Sequence, residues 1–419
     1  MKALFRIDDS TANKISYYHV MLLLLSLPFD MFYSHLIIIS LAIHTVIQWK
    51  KESIQPVFTL PNLLLSSVFI LTLLSTLYSA NKSQAFTELG RQVTMLLMPL
   101  ICCFNSLNLN KYRNNLLLVF SLGCVAVIIY LFLHAIITIQ YFHLGGTALF
   151  SPAFINHNFS LPLDIHATYL SMQIAVALVY LLVAAIKESV VACRWLYTGG
   201  CILLAAGIIQ LSSKSIFIAL LLIISIAVPC FLLAARARMR FIFIALSCTA
   251  LLLTGIYQNE HLRERYLTGL EKDLSQATDH ESSDPRLARW QLAINVGARS
   301  PVIGHGAGSE TGLLKASYFD HKLYRSYLAE LNAHNQFISF FIKSGLLGVL
   351  LFGITLYFGF RVAVLDKDVI LFAFMFIITT ACLSENILDR DKGIYFYSVF
   401  FSFLYFSTPA TSKKISWSC

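Results

Sequence analysis

The chain alternates long apolar runs with short polar turns as far as residue 257. It then enters a polar stretch of 76 residues, 258–333, and ends with three more apolar runs. Runs of roughly 20 residues have the length a helix needs to cross the hydrocarbon of a bilayer. Twelve such spans are expected, at 16–29, 32–48, 60–79, 92–104, 116–141, 165–186, 195–211, 215–234, 241–257, 335–360, 369–385 and 393–408. The fourth is short and borrows from the amphipathic stretch before it. Backbone groups in hydrocarbon must satisfy one another, so these runs are helices. The pattern predicts an all-α polytopic membrane protein in three parts: 1–257 with nine spans, the loop 258–333, and 334–419 with three spans and a short tail.

Composition narrows this further. Hydrophobic residues make up 57% of the chain and charged residues only 13%, about half the charged share of a soluble domain. A net charge of +9 therefore points to membrane lipids, with loops facing an anionic leaflet, and away from nucleic acid. The nine cysteines avoid 258–333 and show no C-x-x-C or His/Cys ligand spacing, so neither a disulfide framework nor structural zinc is expected. The first apolar run lacks a small-residue cleavage site and is read as an uncleaved helix.

Placing the N-terminus in the cytoplasm gives a testable distribution of charge. The inner segments hold Lys2, Arg6, Lys14, Lys50, Lys51, Lys111, Arg113, Lys187, Arg194, Arg236, Arg238, Arg240, Arg361, Lys367, Lys413 and Lys414. The short outer segments hold only Lys82, Arg91, Lys214, Arg390 and Lys392, as the positive-inside rule requires. Long loops escape that rule, so the nine basic and ten acidic residues of 258–333 are compatible with an outer position. A long polar insert among short loops is where function concentrates.

Within it, "SSDPRLARWQLAINVGARSPVIGHGAG" (282–308) is the most legible stretch. Asp284 followed by Pro285 predicts a capped helix start, and Leu287, Trp290 and Ile294 share a face at helical spacing. Arg286 and Arg289 are neighbours in the first turn. Two guanidinium forks at a helix N-terminus suit an anion; the alternative is solvation, or pairing with Glu281 and Asp284. Gly304, Gly306 and Gly308 predict a tight turn after Pro301 that could form a nest of N–H donors, and no strand precedes them as a dinucleotide fingerprint requires.

Other candidates stand at the same membrane edge. Lys214 in "QLSSKSIF" sits at a hairpin tip, either snorkelling to the interface or facing a lipid-linked phosphate. His166 opens span six. "SENILDRDKG" (384–393) crowds Glu385, Asp389, Arg390, Asp391 and Lys392 into one turn, a solvated loop or part of a site. Lys343, nine residues into the helix begun by His334, is a buried ammonium expected to face a cavity or the bundle interior. His334 and Asn335, in "LAELNAHNQFISFF", mark the edge of span ten. A lone histidine there is commonly an interfacial hydrogen-bonding group. Its company of Arg286, Arg289, Lys214 and His166 favours a base instead, because a histidine accepts a proton near neutral pH and cations stabilise a departing phosphate.

"PRLARWQLAINVGARSPVIGHGAG" and "AHNQFISFFIKSGLLG" resemble the O-antigen ligase and polymerase family. The shared pattern is an arginine four before a tryptophan, a P-x-x-G-x-G turn, and an H-N pair opening a helix that reaches G-x-x-G. These motifs cover about 290–350, and "SSKS" and "IHATYL" resemble two further patches of the family. The resemblance implies a metal-independent, GT-C-like glycosyltransferase, without cofactor, on the periplasmic face of a bacterial inner membrane. It implies that Arg286 and Lys214, with Arg289 as a neighbour able to share the arginine's role, grip an undecaprenyl-pyrophosphate-linked glycan donor. It also implies that His334 activates an acceptor hydroxyl with inversion, with His166, Asn335, Asp389 and Arg390 as accessory residues. Lys214 departs from the family's usual arginine, which keeps the charge and loses the bidentate fork.

Within that resemblance the expected reaction is ligation of the glycan to lipid A–core. A polymerase or a protein O-oligosaccharyltransferase would use the same donor. Protein-directed relatives tend to be longer, and the short tail here favours the first two. A twelve-span transporter is the competing class, but transporters of that size show two related halves with mid-bilayer sites, and this chain divides nine to three.

Overall fold

The computed structural model of the protein describes residues 6–49, 57–269 and 285–409, together with Leu4 and Glu271. Regular structure among them is helical. The helices are α1 (Thr11–Ser26), α2 (Met31–Ile47), α3 (Leu60–Leu65), α4 (Ser67–Thr76), α5 (Lys82–Phe104), α6 (Leu109–Tyr141), α7 (Ala167–Lys187), α8 (Val191–Leu211), α9 (Lys214–Leu232) and α10 (Ala235–Gln258). They continue with α11 (Arg286–Gly297), α12 (Glu310–Asp320), α13 (Gln336–Leu365), α14 (Val369–Cys382) and α15 (Asp391–Phe406). Six of these, α6 to α10 and α13, are long and apolar enough to cross a membrane, and α2, α4 and α14 are shorter apolar helices. The protein is an all-α polytopic membrane protein.

Short polar side chains start many of these helices by accepting from otherwise unpaired N–H groups. Asp30, Asn81, Asn108 and Asp368 do so for α2, α5, α6 and α14. α7 is the hub: it is buried along most of its length and packs against α6, α8 and α14. α15 contributes Phe396, Phe400, Phe401 and Phe403, all essentially inaccessible, and packs chiefly on α5. α10 buries only Ile256 among its 24 residues, so almost its whole surface is left to face lipid.

Polar side chains tie the helices together near their ends. At one end Arg113 pairs with Asp368 at 2.6 Å, and Tyr112 donates to Asp9 at 2.7 Å. At the other, Ser79 donates to the Ala307 carbonyl and Ser384 to Ser215 over 2.9 Å. Gln210 there donates to the carbonyls of Leu149 and Phe154.

Several boundaries differ from the expected spans. α5 begins at Lys82 rather than near residue 92, because its amphipathic first half buries Ala85, Glu88 and Gln92. α14 stops at Cys382, leaving Ser384 and Glu385 in a turn instead of a span. Span ten is not one continuous helix: Gly345 interrupts α13 with φ +62° and ψ −158°. Segment 301–306 docks into that break. His305 and Gly306 donate to the carbonyls of Ile342 and Lys343, both over 2.8 Å, and Leu346 donates to Pro301 over 2.8 Å.

The docking explains the glycines better than an anion nest does. Gly304 and Gly345 both have positive φ, which glycine adopts without a Cβ penalty. A Cβ on Gly304 would stand 2.4 Å from the Lys343 backbone, and one on Gly345 would stand 2.3 Å from Val302. The described part of the polar loop has its own small core, with Ala293 and Val296 of α11, Leu314 and Tyr318 of α12, and Ile342 of α13. The face of α11 differs from the expected one: it buries Arg289, Ala293 and Val296, while Ile294 is 47% exposed. Asp284 and Glu281 lie outside the described residues; α11 starts directly after Pro285.

Candidate functional site

Asn335 organises the start of α13. Its side-chain oxygen accepts from the N–H groups of Phe337 and Ile338 at 3.0 and 3.2 Å, and its own N–H donates to Asn386 at 2.8 Å. The residue before it, His334, carries φ +48°, a left-handed conformation uncommon for a residue with a side chain and held only where the surroundings demand it. That conformation directs the imidazole toward the turn after α14, where Nδ1 lies 2.8 Å from Oε2 of Glu385. A carboxylate at that distance accepts a hydrogen bond from the Nδ1–H, which leaves Nε2 as the nitrogen free to accept a proton.

Glu385 is the junction of the site. Its second oxygen lies 3.8 Å from Nη2 of Arg286, and Nη1 of the same guanidinium donates to the Ser384 carbonyl over 3.0 Å. Burial alone would push the Glu385 carboxyl up. The hydrogen bond and charge of His334, followed by the Arg286 and His166 charges, outweigh burial and hold it below the usual carboxylate range. Arg286 is thus fixed by the turn that holds the histidine's partner, and its side chain remains 28% exposed.

Trp290, one turn along α11, donates its indole N–H to the Ala333 carbonyl over 2.9 Å. The arginine and tryptophan four residues apart therefore grip the two segments that meet at His334. Arg289, three residues on from Arg286, is buried, only 6% exposed.

The remaining candidates lie around this centre. His166 caps α7 and is close enough to Glu385, His334 and Arg390 for their charges to interact. Its ring lies 3.9 Å, centre to centre, from that of His157, which feels the charge of Arg265. His157, Arg265 and Gly269 line a cleft of about 410 Å³, and Lys214 Nζ stands 3.1 Å from where a Gly269 Cβ would be. Lys214 opens α9, and its neighbour Ser215 bonds Ser384. Arg390 is exposed beside the start of α7.

Beneath the site lies a buried charge cluster that spacing along the chain does not reveal. Lys343 Nζ lies 2.8 Å from Asp389, 3.5 Å from Glu88 and 3.6 Å from Glu310. The Ser339 hydroxyl lies within hydrogen-bond distance of both Glu310 and Asp389, closer to Glu310, and Glu88 accepts from the Gly308 N–H. Asp389, expected as an accessory residue, is thus held as a counter-ion of Lys343. The turn 384–393 is not a solvated loop: Asn386 is 2% exposed, Glu385 is engaged by His334 and Arg286, and Asp389 by Lys343 of α13.

Residues 199–353 match the family model for O-antigen ligase. No curated protein matches the chain. Members of the O-antigen ligase family are membrane glycosyltransferase-like enzymes, ligases or polymerases, which act in general on a lipid-linked glycan and a lipid acceptor. The matched segment contains Lys214, Arg286, Arg289, His334, Asn335, Lys343 and Gly345. His166, Glu385, Asp389 and Arg390 fall outside it in sequence and are brought to it by the fold.

Proposed function

We propose that the protein is an O-antigen ligase, transferring a glycan from undecaprenyl pyrophosphate to a sugar hydroxyl of lipid A–core at the periplasmic face of a bacterial inner membrane. The observation that carries this reading is the Glu385 turn, which holds His334 by Nδ1 and Arg286 by its guanidinium. A base and a cation fixed to one support are what displacement of a pyrophosphate by a hydroxyl requires.

In the reaction Nε2 of His334 removes the proton from the acceptor hydroxyl. The oxygen attacks the anomeric carbon from the face opposite the pyrophosphate, and the bond from that carbon to the phosphate oxygen breaks with inversion. Arg286 and Lys214 meet the negative charge that departs, and Glu385 stabilises the imidazolium left behind. Arg289, buried at 6% exposure, supports the helix more than it meets the donor in this reading.

The donor's lipid tail has a matching surface. An apolar groove of about 340 Å³ runs between α7, α8, α9 and α10, lined by Leu178, Ile202, Phe217, Ile224, Phe241 and Leu252 among others. Phe217 lies one turn inside Lys214, so a pyrophosphate at Lys214 would place its isoprenoid chain at the mouth of that groove.

Lipopolysaccharide from a strain lacking the gene tests the proposal. Loss of all glycan-capped bands, with the donor accumulating, is the ligase result. Core bearing a single repeat unit would make the protein a polymerase. Unchanged lipopolysaccharide with altered glycoproteins would make it a protein-directed enzyme and overturn the lipid A–core acceptor.

A further inference from the structure

We infer that Glu310 is the positioning residue of the site, a single buried carboxylate that sets the geometry of the His334–Glu385 pair from both sides. The inference uses the role of His334 proposed above, but its geometric part stands apart from any activity. Glu310 begins α12 and is 3% exposed. Its Oε1 accepts from the Ala333 N–H at 2.9 Å and from the Asn386 side-chain amide at 3.0 Å. Those residues adjoin the two members of the catalytic pair: Ala333 precedes His334, and Asn386 follows Glu385. Asn386 then returns its side-chain oxygen to the Asn335 N–H at 2.8 Å. The backbone is thus held on both sides of His334, directly at Ala333 and through Asn386 at Asn335.

The need for such a clamp is visible in the backbone. His334 sits at φ +48°, a conformation its surroundings must over-determine, and its partner Glu385 is 51 residues away in sequence. Only a group touching both segments can fix their separation. The second oxygen of Glu310 takes the Ser339 hydroxyl and a further contact from Asn386, and Lys343 balances its charge at 3.6 Å. The groups that bond Glu310 are donors: the Ala333 N–H, the Asn386 amide, the Ser339 hydroxyl and the Lys343 ammonium. An amide in its place would turn an N–H toward the Ser339 hydroxyl, the Asn386 amide or Lys343.

The test uses the full-length protein purified in detergent, with Glu310→Gln as the main variant and Ser339→Ala as a milder one that keeps the carboxylate. Glu330→Gln, an exposed residue paired with Lys315, serves as the control. The first readout needs no substrate: the rate at which diethyl pyrocarbonate modifies His334 at pH 7, followed residue by residue by mass spectrometry. Loosening a hydrogen bond of ordinary strength raises that rate about fivefold in Glu310→Gln. A smaller rise is expected in Ser339→Ala and none in Glu330→Gln, with His321 unchanged throughout. An unchanged His334 rate in monodisperse Glu310→Gln, or an equal rise at His321, overturns the clamp.

The second readout is glycan transfer. The clamp requires turnover in Glu310→Gln to fall about tenfold or more while KM for the lipid-linked donor stays within about twofold. Equal losses in both would mark a general structural role and overturn the positioning assignment. Absence of transfer in the wild type would count against the proposed activity alone, leaving the modification rate to decide the clamp. Should Glu310→Gln fail to fold, the Ser339→Ala modification rate decides: a rise supports the clamp, and wild-type behaviour overturns it.

Discussion

Trp290 donates its indole N–H to the carbonyl of Ala333, the residue before His334. The polar loop is therefore joined to the membrane helices at the point where the imidazole is placed, and α11 locates two parts of the site at once. Trp290→Phe keeps the packing and removes one donor, leaving the Ala333 carbonyl unpaired. Transfer is expected to fall about tenfold with protein yield unchanged, as followed by a lipid-linked glycan transfer assay. Full activity in the variant would remove the tryptophan from any positioning role.

His334→Ala deletes the proposed base. Loss of a general base typically costs about 10²- to 10⁴-fold in rate, and the variant should still bind the donor lipid, because Arg286 and Lys214 are untouched. Native mass spectrometry with the donor, run beside the transfer assay, separates the two effects. Near-normal transfer would disprove the assignment.

Glu385 gives the pH dependence. Its carboxyl is held below the usual carboxylate range, chiefly against burial by the His334 hydrogen bond and charge. The sign follows from linkage: a depressed folded value contributes stability above the ordinary carboxylate pKa of about 4.3, and the contribution is lost as pH falls through the folded value. Protonation of Glu385 should therefore leave the wild type unaffected from neutral pH down to about 4.3, with the loss confined below that. Glu385→Gln removes the charge and can present the wrong amide group to Nδ1, with an expected loss of about 10²-fold or more at neutral pH. A pH–rate profile for each protein checks both.

Lys343→Met leaves Glu88, Glu310 and Asp389 buried around an apolar side chain. Removing one partner of a buried ion pair costs about 3–5 kcal/mol, so the midpoint of thermal unfolding in detergent should drop clearly. A midpoint within a degree of the wild type would mean that solvent reaches the cluster.

Gly345→Ala tests the break in α13. A Cβ there would meet Val302 at 2.3 Å in a conformation with φ +62°. Strain of this kind costs roughly 1–3 kcal/mol before any clash is counted. Lower thermal stability and slower transfer are expected together. Alanine at Gly353, which has open space around it, is the matched control and should keep both.

Much of this architecture is legible along the chain, and the reasons differ from part to part. The membrane helices can be read because hydrocarbon thickness fixes the length of an apolar run, although the charge-bearing half of α5 and the early end of α14 escape a rule based on hydrophobicity. His334 and Asn335 stand out because a helix start has a polar signature, and Arg286 because four residues on a helix set its relation to Trp290. Glu310, Glu88 and the pairing of Glu385 with His334 have no such signature. They join residues 23 to 255 positions apart, and a buried carboxylate looks in sequence like any exposed one. The interruption at Gly345 is hidden for a related reason: the loop that fills it lies some forty residues upstream.

That interruption is splinted on both sides. Segment 301–306 bonds the helix before and after Gly345: His305 and Gly306 donate to the carbonyls of Ile342 and Lys343, and Leu346 and Leu347 donate to the carbonyls of Pro301 and Val302. The short piece that follows His334 and the long apolar piece therefore share one support in the polar loop. A tilt of the long piece is carried into that loop as well as along the helix.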